Sequence, residues 1–193
     1  VFDENVPYLK RLKYFHQAKR NEFEEIEKNI RRNLDPAESP GAQVTKFLGG
    51  PGGTGKTSLI ESQAEYLQVP FKKISLTEMP ISKLRGYVSF ALMQRTTPLE
   101  ELVGILALEL VRMGPGIIFI DECEVLNDPQ MAAFWKELLQ DKPRLKIAAL
   151  GIDVDLARYT FYFAANIYLK DAALTQRLGN LPFDGLTKEE KMN

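Results

Sequence analysis

The chain has 193 residues, enough for one α/β domain with a sizeable buried core. Its 45% hydrophobic and 26% charged residues argue against disorder, and 25 basic against 26 acidic residues leave a net charge of −1, with no overall pull toward nucleic acid or anionic membrane. One cysteine, Cys123, excludes an internal disulfide and fits a reducing compartment, and no apolar run reaches the length that spans a bilayer.

The first 35 residues carry a helical pattern. Asn5 suits an N-cap and Pro7 the first turn. Tyr8, Leu12 and Phe15, then Phe23, Ile26, Ile30 and Leu34, recur at three- and four-residue steps and form one apolar stripe. Glu24–Lys28 and Glu27–Arg31 are i,i+4 pairs on the other face. Asn21 is where a break into two helices is expected, and Asp35-Pro36 ends the pattern. Residues 1–40 therefore read as an N-terminal helical segment and linker, and 41–193 as a nucleotide-binding α/β core.

Beyond Ser39-Pro40-Gly41 the period changes repeatedly. Val44 to Leu48 reads as a strand, Thr57 to Leu67 as a helix with Ile60, Ala64 and Leu67 on one side, and Phe71 to Leu76 as a second strand. Leu99 to Met113 reads as one apolar helix. Gly116 to Ile120 is a continuous apolar run of the kind buried on both faces of a parallel sheet. Pro129 to Gln140 reads as a helix capped by Asp128, and Thr160 to Ala165 as a further strand. Alternating strands and helices predict βαβ units and a three-layer αβα sandwich with a mainly parallel sheet. Val1 in place of methionine and a charged run ending at Asn193 read as the ends of a fragment.

Gly50-Pro51-Gly52-Gly53-Thr54-Gly55-Lys56-Thr57 fits G-x-x-x-x-G-K-[ST] at every fixed position, between a strand and a helix that runs from Ser58 onward. Glycines let the backbone curl so that successive N–H groups face phosphate oxygens, and the helix N-terminus faces the same anion. The expected nucleotide contacts are Gly50 to Ser58, with Lys56 reaching the β- and γ-phosphates and the Thr57 hydroxyl on Mg²⁺. Ile117-Ile118-Phe119-Ile120-Asp121-Glu122 is an apolar strand ending in two carboxylates. Strand carboxyl ends are where ligands sit in open parallel sheets, so Asp121 is expected to hold Mg²⁺ and Glu122 to polarise the attacking water. Cys123 reads as a packed apolar residue.

Gly49 to Thr57, followed by Ile118-Phe119-Ile120-Asp121-Glu122, resembles the AAA+ superfamily of P-loop ATPases, over roughly residues 44–191. Three further segments resemble the ATPase module of Lon-like proteases. They are Phe71-Lys72-Lys73-Ile74-Ser75-Leu76 with Leu84-Arg85-Gly86; Asp153-Val154-Asp155-Leu156 running into Phe161 to Asn166; and Ala173 to Leu178 with Leu186 to Lys191. The phosphate loop departs from the Lon pattern at Gly53 and Thr54. The resemblance implies that Asn166 is the sensor 1 residue, orienting water or contacting the γ-phosphate. It also implies that Arg177 is an arginine finger acting on a neighbouring subunit's nucleotide. Tyr87, in Gly86-Tyr87-Val88, is the best candidate for a substrate-gripping pore loop, with Met79 second. A C-terminal helical lid is expected to be absent or truncated, no serine–lysine peptidase segment is visible, and the N-terminal helices are expected to cover the adenine site. His16 reads as a solvated helix residue, with adenine contact as the alternative.

The resulting expectation is an ATP hydrolase, binding ATP or ADP with Mg²⁺, that forms a ring, hexameric by resemblance, and moves a polypeptide. Two alternatives stand beside it: a clamp-loader or helicase-type ATPase acting on nucleic acid, and a nucleotide-gated scaffold with little turnover. The expected setting is soluble and reducing, cytoplasmic first, with the mitochondrial matrix or another organelle as the alternative.

Overall fold

The computed structural model describes residues 7–39, 44–77, 79–86, 98–140 and 143–183; the expected cap Asn5, Tyr87, and the 186–191 stretch lie outside them. Six strands run through the described residues: β1 (Thr45–Gly49), β2 (Phe71–Ser75), β3 (Ile117–Asp121), β4 (Arg144–Ile147), β5 (Ile152–Asp155) and β6 (Thr160–Ala165). Four of them form a parallel sheet in the order β1-β6-β3-β2. Residues 179–183 extend it past β1. Phe47 donates its N–H to the Gly179 carbonyl, and Leu181 and Phe183 donate to the carbonyls of Phe47 and Gly49, each at 2.8 Å.

Alternation along the strands divides the core in two, because successive side chains leave a strand on opposite faces. Ile117 and Phe119 of β3, with Tyr162 and Ala164 of β6, pack on one face against α1 (Pro7–Leu12), α2 (Gln17–Leu34) and α3 (Lys56–Leu67). Ile118, Ile120, Phe161 and Phe163 pack on the other. There they meet α4 (Ile81–Arg85), α5 (Leu99–Val103), α6 (Ile105–Met113), α7 (Pro129–Leu138) and α8 (Ala172–Leu178). The expected three-layer αβα sandwich is present, with the N-terminal helices in one outer layer.

Local structure departs from the sequence reading in four places. The break in the first helical stretch falls at residues 13–16, where extended His16 caps α2 and accepts from the Ala18 N–H at 3.3 Å. Asn21 lies inside α2 and accepts from the Gln17 amide at 2.7 Å. The stretch from Leu99 to Met113 is two helices, split by Gly104 at φ 85°. Gly104 lies backbone to backbone against Gly86, so close that a Cβ on Gly86 would come within 2.5 Å of the Gly104 nitrogen. The turn at Gly104 thus follows from a close approach that only glycines permit. The antiparallel pair β4–β5 and the short helix α4 were also not read from the sequence. Among the described residues no helix is long and apolar enough to cross a membrane.

Two polar devices bind the N-terminal helices to the sheet. Arg158, just before β6, donates to the carbonyls of Asn33 and Asp35 at 2.9 Å and of Glu38 at 3.1 Å, a cation at the negative end of α2. The second is a buried relay. The Tyr162 hydroxyl donates to the Gln63 carbonyl at 2.7 Å, the Gln63 amide donates to the Tyr8 hydroxyl at 3.0 Å, and Tyr8 donates to the half-buried Glu27 carboxylate at 2.5 Å. Each donor finds an acceptor, so β6, α3, α1 and α2 are joined without leaving these buried groups unpaired.

Burial raises the Glu27 carboxyl above its ordinary 4.5, and the Tyr8 hydrogen bond and the Arg31 charge only partly oppose it. The folded state therefore keeps this proton to a higher pH than the unfolded chain does. Its contribution to stability is greatest at low pH and falls as pH rises from about 4.5 through the raised value. Glu27→Gln keeps an acceptor for Tyr8 and removes the titration. Its gain in urea midpoint over the unmodified protein is expected to grow between pH 4.5 and 7.5; a pH-independent difference would refute this account.

Candidate active site

Every strand of a parallel sheet ends on the same edge, and the candidate residues stand on that edge. Gly49, which ends β1, is in register with Ala165 of β6, and Ile120 of β3 with Phe163, so the phosphate loop, Asn166 and Asp121 emerge nearly level. β2 finishes the row, with Ser75 in register with Asp121.

The phosphate loop is curled by its own bonds: Gly50 N–H donates to the Ala165 carbonyl at 3.2 Å, and the Thr54 hydroxyl to the Pro51 carbonyl at 3.0 Å. Gly50 is required sterically, since a Cβ there would fall on the Phe183 carbonyl oxygen. No side chain caps the start of α3. The first N–H groups of the helix, including those of Lys56, Thr57 and Ser58, are left to face a ligand, and the helix dipole favours an anion there. Lys56 is 8% exposed. Its ammonium donates to the carbonyls of Gly50 at 2.7 Å and Pro51 at 2.9 Å, and lies 3.5 Å from Asn166 Oδ1. Burial lowers its pKa, against the opposing charges of Asp121 and Glu124.

The two carboxylates are held from β2. Lys73 forms an ion pair with Asp121 at 2.6 Å, and Asp121 also accepts the Glu122 N–H at 2.9 Å. Exposed Glu122, in a left-handed conformation at φ 57°, accepts a hydrogen bond from the Ser75 hydroxyl. Bonds from Ser75 and then Thr77 hold its carboxyl below the usual range. Cys123 is fully buried in the core, and burial raises its thiol pKa well above the ordinary value, as expected of a packed residue.

Asn166 follows β6 directly, its side chain against Lys56 and facing the space a Cβ on Gly52 would enter, and its N–H donating to Glu124 Oε1 at 2.7 Å. Arg177, exposed on α8, donates to the Lys136 carbonyl of α7. The geometry therefore brings Gly50 to Ser58, Asp121, Glu122 and Asn166 to one edge, and leaves Arg177 bonded elsewhere. Met79 is half-buried against the core.

Sequence reasoning passed over several neighbours. Lys73 and Ser75 were noticed only inside a family-like stretch, and their role as partners of the acidic pair requires knowing that β2 lies beside β3. Glu124 has no local sequence signal, because its partner is a backbone N–H 42 positions away. A largely apolar cavity of about 160 Å³ beside Thr54 and Gly55 is lined by Arg11, Tyr14, Phe15, Leu59 and Phe183. It is built from both ends of the described chain, which no local pattern reveals. His16 does not line it.

The chain is 29% identical to a Lon protease of Campylobacter jejuni over 201 aligned residues, covering 95% of this chain and 24% of that protein. It is also 29% identical to a Lon protease of Salinispora arenicola, over 86% of this chain and 22% of that protein. The chain thus spans about a quarter of the length of these relatives. The model of the ATPase family associated with various cellular activities (AAA) matches residues 47–168, taking in the phosphate loop, the acidic pair and Asn166. With that match over more than half its length, the chain belongs to the AAA family of ATPases.

Proposed function

We propose that this chain is the Mg-ATP-binding and hydrolysing core of a ring-forming motor, Lon-like in type, that acts on polypeptide. The observation that carries the reading is the position of Lys56. Its ammonium lies among phosphate-loop carbonyls, 3.5 Å from Asn166 and within the field of Asp121, so Lys56 links the loop, Asn166 and Asp121 at one sheet edge.

In this reading the loop amides and the start of α3 cradle the β- and γ-phosphates, and Lys56 exchanges its loop carbonyls for phosphate oxygens. The adenine ring occupies the apolar cavity between the N-terminal helices and Phe183, where Tyr14 and Phe15 offer aromatic faces. The Thr57 hydroxyl and the Asp121 carboxylate are hard oxygen donors of the type Mg²⁺ takes. Among the described residues no group of three or more His, Cys, Asp or Glu side chains can hold a metal unaided, so the ion would be shared with the phosphates. When bound, Mg²⁺ neutralises charge on the transferring phosphoryl group. Glu122 leaves Ser75 to accept a proton from the attacking water, and Asn166 orients that water or the γ-phosphate.

The ring rests on Arg177 and on the likeness to Lon proteases. An exposed arginine bonded to a backbone carbonyl on α7, rather than to the phosphate loop, is suited to a neighbour's nucleotide, and cyclic symmetry gives every site one. The polypeptide substrate rests on that likeness alone. Stimulation of turnover by an unfolded protein, set against stimulation by single-stranded DNA, tests it directly.

Lys56→Ala is expected to weaken ATP binding about a hundredfold or more, measured by titration calorimetry; unchanged affinity would overturn the loop assignment. Glu122→Gln is expected to bind ATP normally and to slow turnover by about a hundredfold or more, the usual weight of a general base. Arg177→Ala should leave binding intact and cut turnover of the oligomer by about a thousandfold. In mixed oligomers the defect should fall on the site beside the mutant subunit, and a defect confined to the mutant's own site would rule out action in trans.

A further inference from the structure

We infer that Glu124 is a positioning residue for Asn166, fixing the backbone from which that side chain meets the phosphate loop; the inference rests on the site reading proposed above. Asn166 stands one residue past the end of β6 and is exposed, so neither the strand ladder nor packing holds it. The described bond at its amide is to Glu124, whose Oε1 accepts the N–H at 2.7 Å. A charged acceptor makes this stronger than an ordinary backbone bond.

Glu124 is well placed to impose a geometry. It lies on the 3-10 helix Cys123–Asn127, which begins directly after Glu122 and is anchored by fully buried Cys123 and Leu126. The far end of the same helix holds the far end of the same loop, where Asn127 Oδ1 accepts the Lys170 N–H at 2.8 Å. Between these two bonds Ile167 and Tyr168 are 45% and 73% exposed, and only Leu169, nearer the far bond, packs against the core. The acidic pair and Asn166 are therefore set relative to each other by one short rigid turn. Rotation of the Asn166 backbone would carry its Oδ1 away from the Lys56 ammonium, 3.5 Å off.

A carboxylate near Lys56 could instead act through its charge, and Glu124→Gln separates the two, since it keeps the acceptor and removes the charge. The readout is binding discrimination: the ratio of affinities for ATPγS and ADP, which differ in the group Asn166 is proposed to sense. Unmodified protein, Glu124→Ala, Glu124→Gln, Asn166→Ala and the Glu124→Ala/Asn166→Ala double variant are compared, with folding monitored by circular dichroism. Glu124→Ala is expected to lower the ratio about fivefold or more, and Glu124→Gln to stay within about twofold of the unmodified protein. The double variant should match Asn166→Ala, because Glu124 acts only through Asn166.

A Gln variant as defective as the Ala variant would assign the effect to charge and overturn the inference. Multiplying defects in the double variant, or loss of fold in Glu124→Ala, would overturn it by making Glu124 independent or structural. Lys56→Ala, run alongside, tests the underlying reading: if it binds both nucleotides normally, the site itself is misassigned, and the inference falls with it. If Lys56→Ala loses binding while Asn166→Ala discriminates normally, the phosphate loop stands and only the Asn166–Glu124 unit is rejected.

Discussion

Parallel pairing of β1, β6 and β3 is the constraint on which the rest of this structure depends. Side by side and in register, the three strands must deliver their carboxyl ends to one edge, whatever follows each of them. A phosphate loop, an asparagine and an acidic pair, far apart in the chain, become neighbours first through strand register, which the bonds between them then refine. Such a sheet needs cover on both faces, since its inner strands are apolar on both sides. Ile117 to Ile120 and Phe161 to Ala165 are almost wholly buried, and helices on both faces supply the cover. Site and core are thus consequences of one pairing pattern.

The N-terminal helices belong to that cover. Tyr8, Phe23, Ile26 and Ile30 share a cluster with Ile60 of α3 and Phe119 of β3. The Tyr162–Gln63–Tyr8–Glu27 relay crosses the same interface, and Lys19 ties α2 to the Pro182 carbonyl at 2.6 Å. Buried hydroxyls and amides cost about 1–3 kcal/mol each if left unpaired, so the relay disfavours any other seating of α1 and α2. The cavity proposed for adenine, lined from α1, the 13–16 turn, α3 and Phe183, is a by-product of this seating.

Much of the sheet was legible because its strands are short apolar runs with strong punctuation, and because the phosphate loop is a motif with a mechanism. Asp128 as the cap of α7 was legible for the same reason: its side chain satisfies the N–H groups of Gln130 and Met131, a local bond written in local sequence. What escaped was set by contacts distant in sequence. The apolar run Leu99 to Met113 reads as one helix, and only the approach of Gly86, far from it in sequence, makes Gly104 a turn. Asn21 looked like a breaker, but α1 leaves the axis of α2 earlier, at His16, to pack on α3. The β4–β5 hairpin has alternation only four residues long, Arg144-Leu145-Lys146-Ile147, too short to separate from a loop. The roles of Lys73 and Ser75 become visible only through the register of β2 with β3, and that of Glu124 only through its backbone partner.

Each charged group singled out for chemistry already has a protein partner. Lys56 is bonded to loop carbonyls, Asp121 to Lys73, Glu122 to Ser75 and Arg177 to the Lys136 carbonyl. Nucleotide binding is then an exchange of partners rather than the filling of bare charges, and its net free energy is a difference between two satisfied states. Exchange of this kind never leaves a buried ammonium unpaired, which would be costly. It also means that releasing these groups frees Lys73, Ser75 and the end of α7 together. β2 leads straight into α4, and α7 packs on α8, so the bonds that hold the proposed catalytic groups at rest are also the ones through which a bound nucleotide would be felt in the outer layer.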